Sequence, residues 1–293
     1  MRSQLFVPAD SEKMLAKATQ SGADCLILDL EDSLTADRKP EGRKTALAFM
    51  KERRPPGQKI YVRINPLGSG MALQDLAAVM AGAPDGIMLP KCRSGADVRE
   101  LDHYLSALEA REGLPQGQTK ILPIVTEVAG GLFTMSSYQD CGPRLMGMMW
   151  GAEDLSADLG ASIKRLPDGA YDDPYRLART VTLLGAKAAG VIPFDTVFID
   201  FKDLAGLETE CLAARQAGFL AKPAIHPAQV ETINRAFSVA LDEVEWARKV
   251  VRAFADNPSS GVVGLDGVML DRPHLRQAET LLARAEEQSR QPE

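Results

Sequence analysis

The sequence predicts an α/β fold, a (β/α)8 TIM-type barrel with a C-terminal helical extension. Three features of its 293 residues indicate this fold: eight short apolar runs, intervals that mostly have room for a helix, and acidic residues just after two of the runs. Short apolar runs are typical of strands buried in a parallel sheet. Eight strand-then-helix units are the signature of this barrel. A doubly wound open sheet is the alternative, although such a sheet rarely needs eight units.

Predicted strands and helices alternate along the first three quarters of the chain. The eight apolar runs lie at residues 4–8, 25–30, 60–64, 86–89, 121–125, 145–150, 196–199 and 219–225. Helical spacing of apolar residues is found at residues 11–21, 72–80, 95–111 and 175–189. Ser11 is the expected N-cap of the first helix, because its hydroxyl can accept a free backbone N–H there.

The pattern changes after the eighth run. The sequence predicts helices at 227–240 and 241–256, a turn-rich hinge at 257–264, an extended piece at 266–271 and a last helix from 273 to about 287. We therefore expect three segments: the barrel over residues 1–226, a helical extension packed on it over 227–256, and a hinge with a C-terminal arm or lid over 257–293.

Composition narrows the class of protein. The chain is 45% hydrophobic and 25% charged, as is ordinary for a globular protein, and its net charge of −6 argues against nucleic-acid and anionic-membrane partners. No stretch approaches a membrane span, and the N-terminus lacks the apolar core of a signal peptide. Four widely spaced cysteines favour neither a disulfide framework nor a zinc site. A cytoplasmic location is expected.

Two acidic residues stand out as candidate metal ligands. Glu127 and Asp154 each come just after an apolar run, and that position is the rim where α/β barrels build their active sites. Mg²⁺ prefers oxygen ligands and usually takes one or two protein carboxylates, with waters completing its shell. The pair therefore predicts a site of the Mg²⁺ type. The alternative is two solvated or ion-paired loop carboxylates.

Other charged residues follow neighbouring strands. Arg63 ends the third run, where its side chain either grips a ligand carboxylate through two hydrogen bonds or forms a buried ion pair with Asp29. The run from Asp29 to Ser33 carries three carboxylates, for which we favour a supporting role over direct ligation; helix capping is the alternative. Lys91 follows the fourth run and either acts at the rim or pairs with an acid. Glu153 is a weaker candidate ligand than its neighbour Asp154.

Four further residues give weaker signals. Lys13 and Lys17 share one face of the first helix, either as a solvated face or as a phosphate contact. His226 ends the eighth run, where a histidine more often hydrogen-bonds the backbone or a ligand than acts as a general base. Asp271 lies beyond the hinge, where an exposed aspartate is usually an acidic residue near a helix end with no functional role.

Taken together, these residues resemble the HpcH/HpaI aldolase and citrate lyase β-subunit family. The matching motifs are Arg-Ser-Gln-Leu-Phe-Val-Pro at 2–8, Asp-Leu-Glu-Asp-Ser at 29–33, Val-Arg-Ile-Asn at 62–65, Leu-Pro-Lys at 89–91, Thr-Glu at 126–127, Gly-Ala-Glu-Asp-Leu at 151–155, Asp-Leu-Gly at 158–160 and Ile-His-Pro-Ala-Gln at 225–229. Within the family the chain is most similar to the acyl-CoA lyase branch. Ala9 departs from the pattern, since the family usually has glycine there.

The resemblance implies roles for particular residues. Glu127 and Asp154 would bind Mg²⁺, or Mn²⁺ in its place, with Glu127 also near the substrate, and Arg63 would bind the carboxylate of a 2-oxo acid. The implied contacts to the CoA thioester are Phe6, Lys13, Lys17, Ile225 and His226. Asp271, in Gly-Val-Met-Leu-Asp at 267–271, matches an acid/base aspartate that reaches the site of an adjacent subunit. The expected assembly is therefore a homotrimer or hexamer.

The implied activity is reversible carbon–carbon cleavage of a 3-hydroxy-3-carboxyacyl-CoA, such as malyl-CoA, citramalyl-CoA or citryl-CoA. The products would be acetyl-CoA and a 2-oxo acid. Two alternatives stay open: a malyl-CoA thioesterase, and a citrate lyase β subunit that acts on an acyl-carrier-protein thioester.

Overall fold

The computed structural model describes residues 1–289. The chain divides into two compact units, Met1–Ala236 and Phe237–Glu293. The finer division into barrel, extension and arm stays a prediction, and residues 290–293 of the predicted arm lie outside the described part. No helix within that part is long and apolar enough to cross a membrane.

Eight parallel strands form the centre of the first unit. They are β1 (Ser3–Pro8), β2 (Cys25–Asp29), β3 (Lys59–Arg63), β4 (Gly86–Leu89), β5 (Lys120–Pro123), β6 (Gly147–Met149), β7 (Ile192–Phe194) and β8 (Lys222–Ala224). One sheet has the order β5-β4-β3-β2-β1-β8, and β6 pairs with β7. Isolated parallel bridges between β5 and β6 and between β7 and β8 complete the ring. The predicted TIM-type barrel is confirmed.

Helices occupy most intervals between the strands. They are α1 (Glu12–Ala18), α2 (Lys39–Glu52), α3 (Ala72–Val79), α4 (Gly95–Glu112), α5 (Glu153–Leu159), α6 (Asp173–Ala188), α7 (Leu204–Ala217) and α8 (Val230–Phe237). Ser11 caps α1 as predicted, since its hydroxyl accepts the N–H of Met14 at 3.3 Å. The connection from β5 to β6 contains a 3-10 helix, Ala129–Tyr138, in place of an α-helix.

The prediction of the seventh strand was wrong. The strand is Ile192–Phe194, and the predicted run at 196–199 belongs to the loop that follows it. A proline normally argues against a central strand because it lacks an N–H. Pro193 is accommodated because its carbonyl accepts the N–H of Leu220 at 3.1 Å, and because only one bridge, Phe194 to Ala221, joins β7 to β8.

The barrel is filled by buried apolar side chains. The cluster comprises Cys25, Ile27, Tyr61, Met88, Leu122, Ile124, Met149, Phe194 and Ala221. Packing is close: a Cβ on Gly86 would lie 2.4 Å from the Tyr61 ring. A barrel packed in this way has no room for a ligand along its axis, so a binding site must lie at one of its rims.

The second unit has its own small core. After the end of α8 it contains α9 (Leu241–Ala255), an antiparallel hairpin of β9 (Val262–Leu265) and β10 (Val268–Asp271), and α10 (Arg272–Ser289). The predicted hinge at 257–264 was therefore wrong in part, because its end is a strand. The turn residues Asp266 and Gly267 both have positive φ, at 46° and 81°. An Asp-Gly pair is a strong signal for such a hairpin turn, and the sequence interpretation missed it.

Candidate active site

A cavity of about 390 Å³ opens at the carboxyl rim of the barrel. Of the nine residues to which the family resemblance gives a role, five line it: Phe6, Arg63, Glu127, Asp154 and Ile225. Parallel strands bring their carboxyl ends to the same rim, which explains how residues far apart in sequence meet here. Lys13, Lys17 and His226 are not among the lining residues, and Asp271 belongs to the second compact unit.

Glu127 is one of two deeply buried acids that line this cavity, the other being Asp29. The Glu127 side chain is only 4% exposed, and its Oε2 accepts the backbone N–H of Lys91 at 2.5 Å. The loop after β6 lies directly against it, since a Cβ on Gly151 would be 2.7 Å from Glu127 Cγ. Burial, together with the negative charge of Asp154, raises the pKa of Glu127 to about 8.

Asp154 lies in the first turn of α5 and faces the same cavity. Its Oδ1 is 3.1 Å from the ammonium of Lys91. Glu127 and Asp154 are thus each held through one oxygen by the same lysine. Among residues 1–289, the other oxygen of each carboxylate has no hydrogen-bond partner.

This arrangement fits a hard divalent cation. Within the described part of the chain no three His, Cys, Asp or Glu side chains are grouped as a metal site, so a metal bound only by protein ligands is not indicated. Mg²⁺ usually takes one or two carboxylates and completes its shell with waters and substrate oxygens. Over the residues that the structure describes, Glu127 and Asp154 each have one carboxylate oxygen without a hydrogen-bond partner beside an open cavity, so the pair meets that requirement. Mn²⁺ accepts the same donors.

Arg63 is fixed by an acid at the neighbouring strand end. Its Nε and Nη2 donate to the two carboxylate oxygens of Asp29 at 2.7 and 2.6 Å. Burial disfavours ionisation of Asp29, but the hydrogen bonds and charge of Arg63 outweigh it and keep the pKa of Asp29 below its usual value. The ion pair considered from the sequence therefore exists. Arg63 also lines the cavity, so its guanidinium can meet a bound carboxylate there, with Nη1 already 3.1 Å from Glu31 Oε2.

Glu31 and Lys91 form a second ion pair beside the first. The Lys91 ammonium hydrogen-bonds Glu31 Oε1, and Glu31 Oε2 is 3.1 Å from Arg63 Nη1. Burial raises the pKa of Glu31 to about 7, although Arg63 and Lys91 act in the opposite direction. The acidic run after β2 thus surrounds Arg63, as a supporting role requires. Lys91, by contrast, was not predicted as a central residue of the site.

A buried ionic network behind β7 was missed altogether. The Lys222 ammonium is 2.9 Å from Asp195 and 2.8 Å from Glu210, and both Lys222 and Asp195 are fully buried. Asp195 also accepts the indole N–H of Trp150 at 2.7 Å. Since Trp150 lines the cavity, the network supports one of its walls. The only signal for this network in the sequence was Lys222, a charged residue at the start of an apolar strand.

The remaining predicted residues lie elsewhere. His226 caps a short 3-10 helix, with its Nδ1 accepting the N–H of Ala228 at 3.2 Å. Lys13 and Lys17 are exposed on α1. In the second unit, Asp271 Oδ1 lies 2.6 Å from the Nδ1 of His274, a partner that the sequence did not indicate.

The raised pKa of Glu127 predicts a pH dependence of metal binding. Below pH 8 the metal-free protein keeps this carboxyl protonated, so binding must displace a proton. We expect the Mg²⁺ affinity to rise about tenfold per pH unit up to pH 8 and then to level off. Isothermal titration calorimetry between pH 6 and 9 measures this, and an affinity independent of pH would contradict the assignment of Glu127.

The fold and the cavity define a class before any comparison is made: a TIM-barrel enzyme with acidic and basic side chains gathered at its carboxyl rim. The sequence profile of the HpcH/HpaI aldolase/citrate lyase family matches residues 2–227. The chain belongs to this family, and it is an enzyme of the oxo-acid lyase type.

Individual relatives cover nearly the whole chain. A citrate lyase subunit beta-like protein of Mycobacterium tuberculosis is 36% identical, covering 97% of this chain and 95% of its own length. The L-malyl-CoA/beta-methylmalyl-CoA lyase of Rhodobacter capsulatus is 30% identical, with 97% and 94% covered. The crystal structure of M. tuberculosis CitE in complex with magnesium, acetoacetate and coenzyme A is 36% identical and superposes with a TM-score of 0.77, over 97% of this chain and 98% of that one.

Proposed function

We propose that this protein is a Mg²⁺-dependent carbon–carbon lyase that cleaves a 3-hydroxy-3-carboxyacyl-CoA to acetyl-CoA and a 2-oxo acid. Malyl-CoA, citramalyl-CoA and citryl-CoA are the candidate substrates. The observation that carries the proposal is the meeting of Glu127, Asp154 and Arg63 in one cavity of a chain that belongs to this lyase family. The M. tuberculosis relative bound to magnesium, acetoacetate and coenzyme A supports it.

Glu127 and Asp154 are the residues that would hold the ion. When bound, Mg²⁺ supplies Lewis-acid stabilisation of the negative charge that develops on a substrate oxygen. Arg63, kept in place by Asp29 and Glu31, would bind the substrate carboxylate through N–H groups that Asp29 does not use. This contact would orient the scissile bond and disfavour analogues without a carboxylate.

The thioester would lie on the apolar side of the cavity. Phe6 and Ile225 line that part, while the exposed Lys13 and Lys17 would meet the CoA phosphates nearer to solvent. His226 lies beside Ile225 at the end of β8 and would contact the same ligand. These CoA contacts rest on the family resemblance.

As the C–C bond breaks, the 3-hydroxyl would lose its proton to solvent and its oxygen would become the carbonyl oxygen of the 2-oxo acid. The departing acetyl fragment leaves as a thioester enolate and must gain a proton. We assign this proton to Asp271 of an adjacent subunit, which in the direction of synthesis would remove a proton from acetyl-CoA. A homotrimer or hexamer is part of the proposal for this reason.

The test follows the 2-oxo acid and free CoA separately while the purified protein acts on malyl-CoA, citramalyl-CoA and citryl-CoA. We expect a 2-oxo acid to form from at least one thioester, together with acetyl-CoA, and EDTA to abolish it. Free CoA with malate would instead identify a thioesterase. Turnover only after addition of an acyl-carrier-protein thioester would identify a lyase subunit.

A further inference from the structure

Lys91 contacts both of the carboxylates proposed to bind the metal. Its backbone N–H donates to Glu127 Oε2 at 2.5 Å, and its ammonium lies 3.1 Å from Asp154 Oδ1. Lys91 follows β4, whereas Glu127 follows β5 and Asp154 follows β6. One residue thus links three neighbouring strand ends, although it is not among the residues that line the cavity.

We propose that Lys91 is a positioning residue of the metal site. It fixes one oxygen of each carboxylate and so would keep the other oxygen of each available to the ion. The inference rests on the proposed function, because it takes Glu127 and Asp154 as the metal ligands.

The backbone of Lys91 supports this role. Its φ is 50°, in the left-handed region where a residue with a Cβ is strained and glycine is not. The residue keeps this conformation while its N–H is bonded to Glu127 and its ammonium lies among carboxylates. Observed strain of this kind is a reason to look for a function.

The ammonium is itself firmly held. It hydrogen-bonds Glu31 Oε1 and lies 3.7 Å from Asp32 Oδ1. Glu31 is almost fully buried and is held from its other side by Arg63 at 3.1 Å. Asp154 therefore pairs with a cation whose own position is fixed, and this restricts the rotation of its carboxylate.

The lysine charge also has an opposite effect, since an ammonium repels a divalent cation. Removing the charge therefore gives two distinguishable results. If positioning dominates, Mg²⁺ binds more weakly, by the 10- to 100-fold that is typical for loss of a group that orients metal ligands. If repulsion dominates, Mg²⁺ binds more tightly.

The experiment compares Lys91→Met with the wild-type protein. Methionine keeps the backbone N–H to Glu127 and removes the ammonium. We expect the Mg²⁺ dissociation constant of the substrate-free protein, measured by isothermal titration calorimetry, to rise about 10- to 100-fold. Turnover at saturating Mg²⁺ should then recover to within a few-fold of wild type.

Lys164→Met is the matched control. Lys164 pairs with Glu153, the neighbour of Asp154, so this change removes a nearby cation without touching either proposed ligand. We expect its Mg²⁺ affinity to stay within about twofold of wild type, because exposed ion pairs contribute little. Lys91→Gly is the second variant: it relieves the backbone strain, and its Mg²⁺ affinity should fall as in Lys91→Met.

Unchanged or tighter binding in both Lys91 variants would overturn the inference. Equal weakening in Lys91→Met and Lys164→Met would overturn it too, because the loss would then not depend on contact with the two proposed ligands. A wild-type protein that binds no Mg²⁺ would contradict the proposed function together with this inference. If the wild-type protein binds Mg²⁺ and its affinity does not change when Lys91 is substituted, only the inference about Lys91 is contradicted.

Discussion

Glu127→Gln is expected to lower Mg²⁺-dependent turnover by about 10³-fold while the protein stays folded. The amide is a neutral and weaker ligand for a hard cation than a carboxylate. Metal stabilisation of a developing charge is worth several kcal/mol, and about 1.4 kcal/mol corresponds to tenfold in rate. The assay is cleavage of the best thioester at saturating Mg²⁺.

The thermal stability of Glu127→Gln distinguishes loss of a metal-binding residue from loss of the fold. Burial raises the pKa of Glu127 from its ordinary 4.5 to about 8, so between these values the folded protein binds more protons than the unfolded chain. Stability therefore falls as pH rises through this window. Glutamine removes that contribution, and we expect the metal-free variant to melt no lower than wild type at pH 8.

Glu153→Gln is the control for this substitution. Glu153 also lines the cavity, but its carboxylate pairs with Lys164, and we expect it to lose less than about tenfold in turnover, since an exposed ion pair is worth at most about 1 kcal/mol. Full activity of Glu127→Gln would contradict the metal assignment. A larger loss in Glu153→Gln than in Glu127→Gln would move the ligand to Glu153.

Lys222→Met is expected to destabilise the protein by about 3–5 kcal/mol, because it leaves the buried Asp195 without its principal cation. Lys222 and Asp195 are both fully buried and 2.9 Å apart. They also connect β7 to β8, where a single bridge replaces a strand ladder. Urea denaturation of the full chain measures the difference in the free energy of unfolding.

The control for Lys222→Met is a substitution in a solvent-exposed ion pair. Arg235 lies 3.1 Å from Glu208, and both side chains are substantially exposed, so Arg235→Met should change stability by less than about 1 kcal/mol. Equal stability of Lys222→Met and wild type would show that the buried network does not support the barrel.

The periodicity of the sequence was sufficient for most of the barrel. Residues 86–89 were predicted as a strand and form β4 with the same limits, because four buried apolar residues between turn signals have few alternatives. The seventh strand failed because Pro193 interrupts three residues, and the longer apolar run beside it looked more like a strand. The hairpin failed because Val262 and Val263 directly follow the turn-rich residues 257–261 and were taken for part of a hinge.

The site was predictable where a backbone rule applied. The rule that strand ends meet at one rim gathered Arg63, Glu127 and Asp154 without knowledge of their distances. It gave no means of predicting which cation would pair with them, because a lysine side chain spans several ångströms and its partner depends on neighbouring strands. For this reason Lys222 was missed, and Lys91 was predicted only to act at the rim or to pair with an unspecified acid.

Arg63 shows how a structure can combine two interpretations. From the sequence, an ion pair with Asp29 and a contact to a ligand carboxylate were alternatives. In the structure the ion pair uses Nε and one side of Nη2, and the side chain still reaches the cavity. The ion pair therefore prepares the side chain for the contact to a ligand, which stays a proposal.

Carbon–carbon bond formation is the most direct test of the central claim, because hydrolysis cannot mimic it. The protein is incubated with acetyl-CoA that carries ¹³C in the acetyl group and with glyoxylate, pyruvate or oxaloacetate. The masses of the products are then measured by mass spectrometry. We predict a labelled hydroxyacyl-CoA whose mass is the sum of the two reactants, formed with Mg²⁺ and absent with EDTA. No adduct with any of the three acceptors, or an adduct that EDTA leaves unchanged, would contradict a Mg²⁺-dependent acyl-CoA lyase.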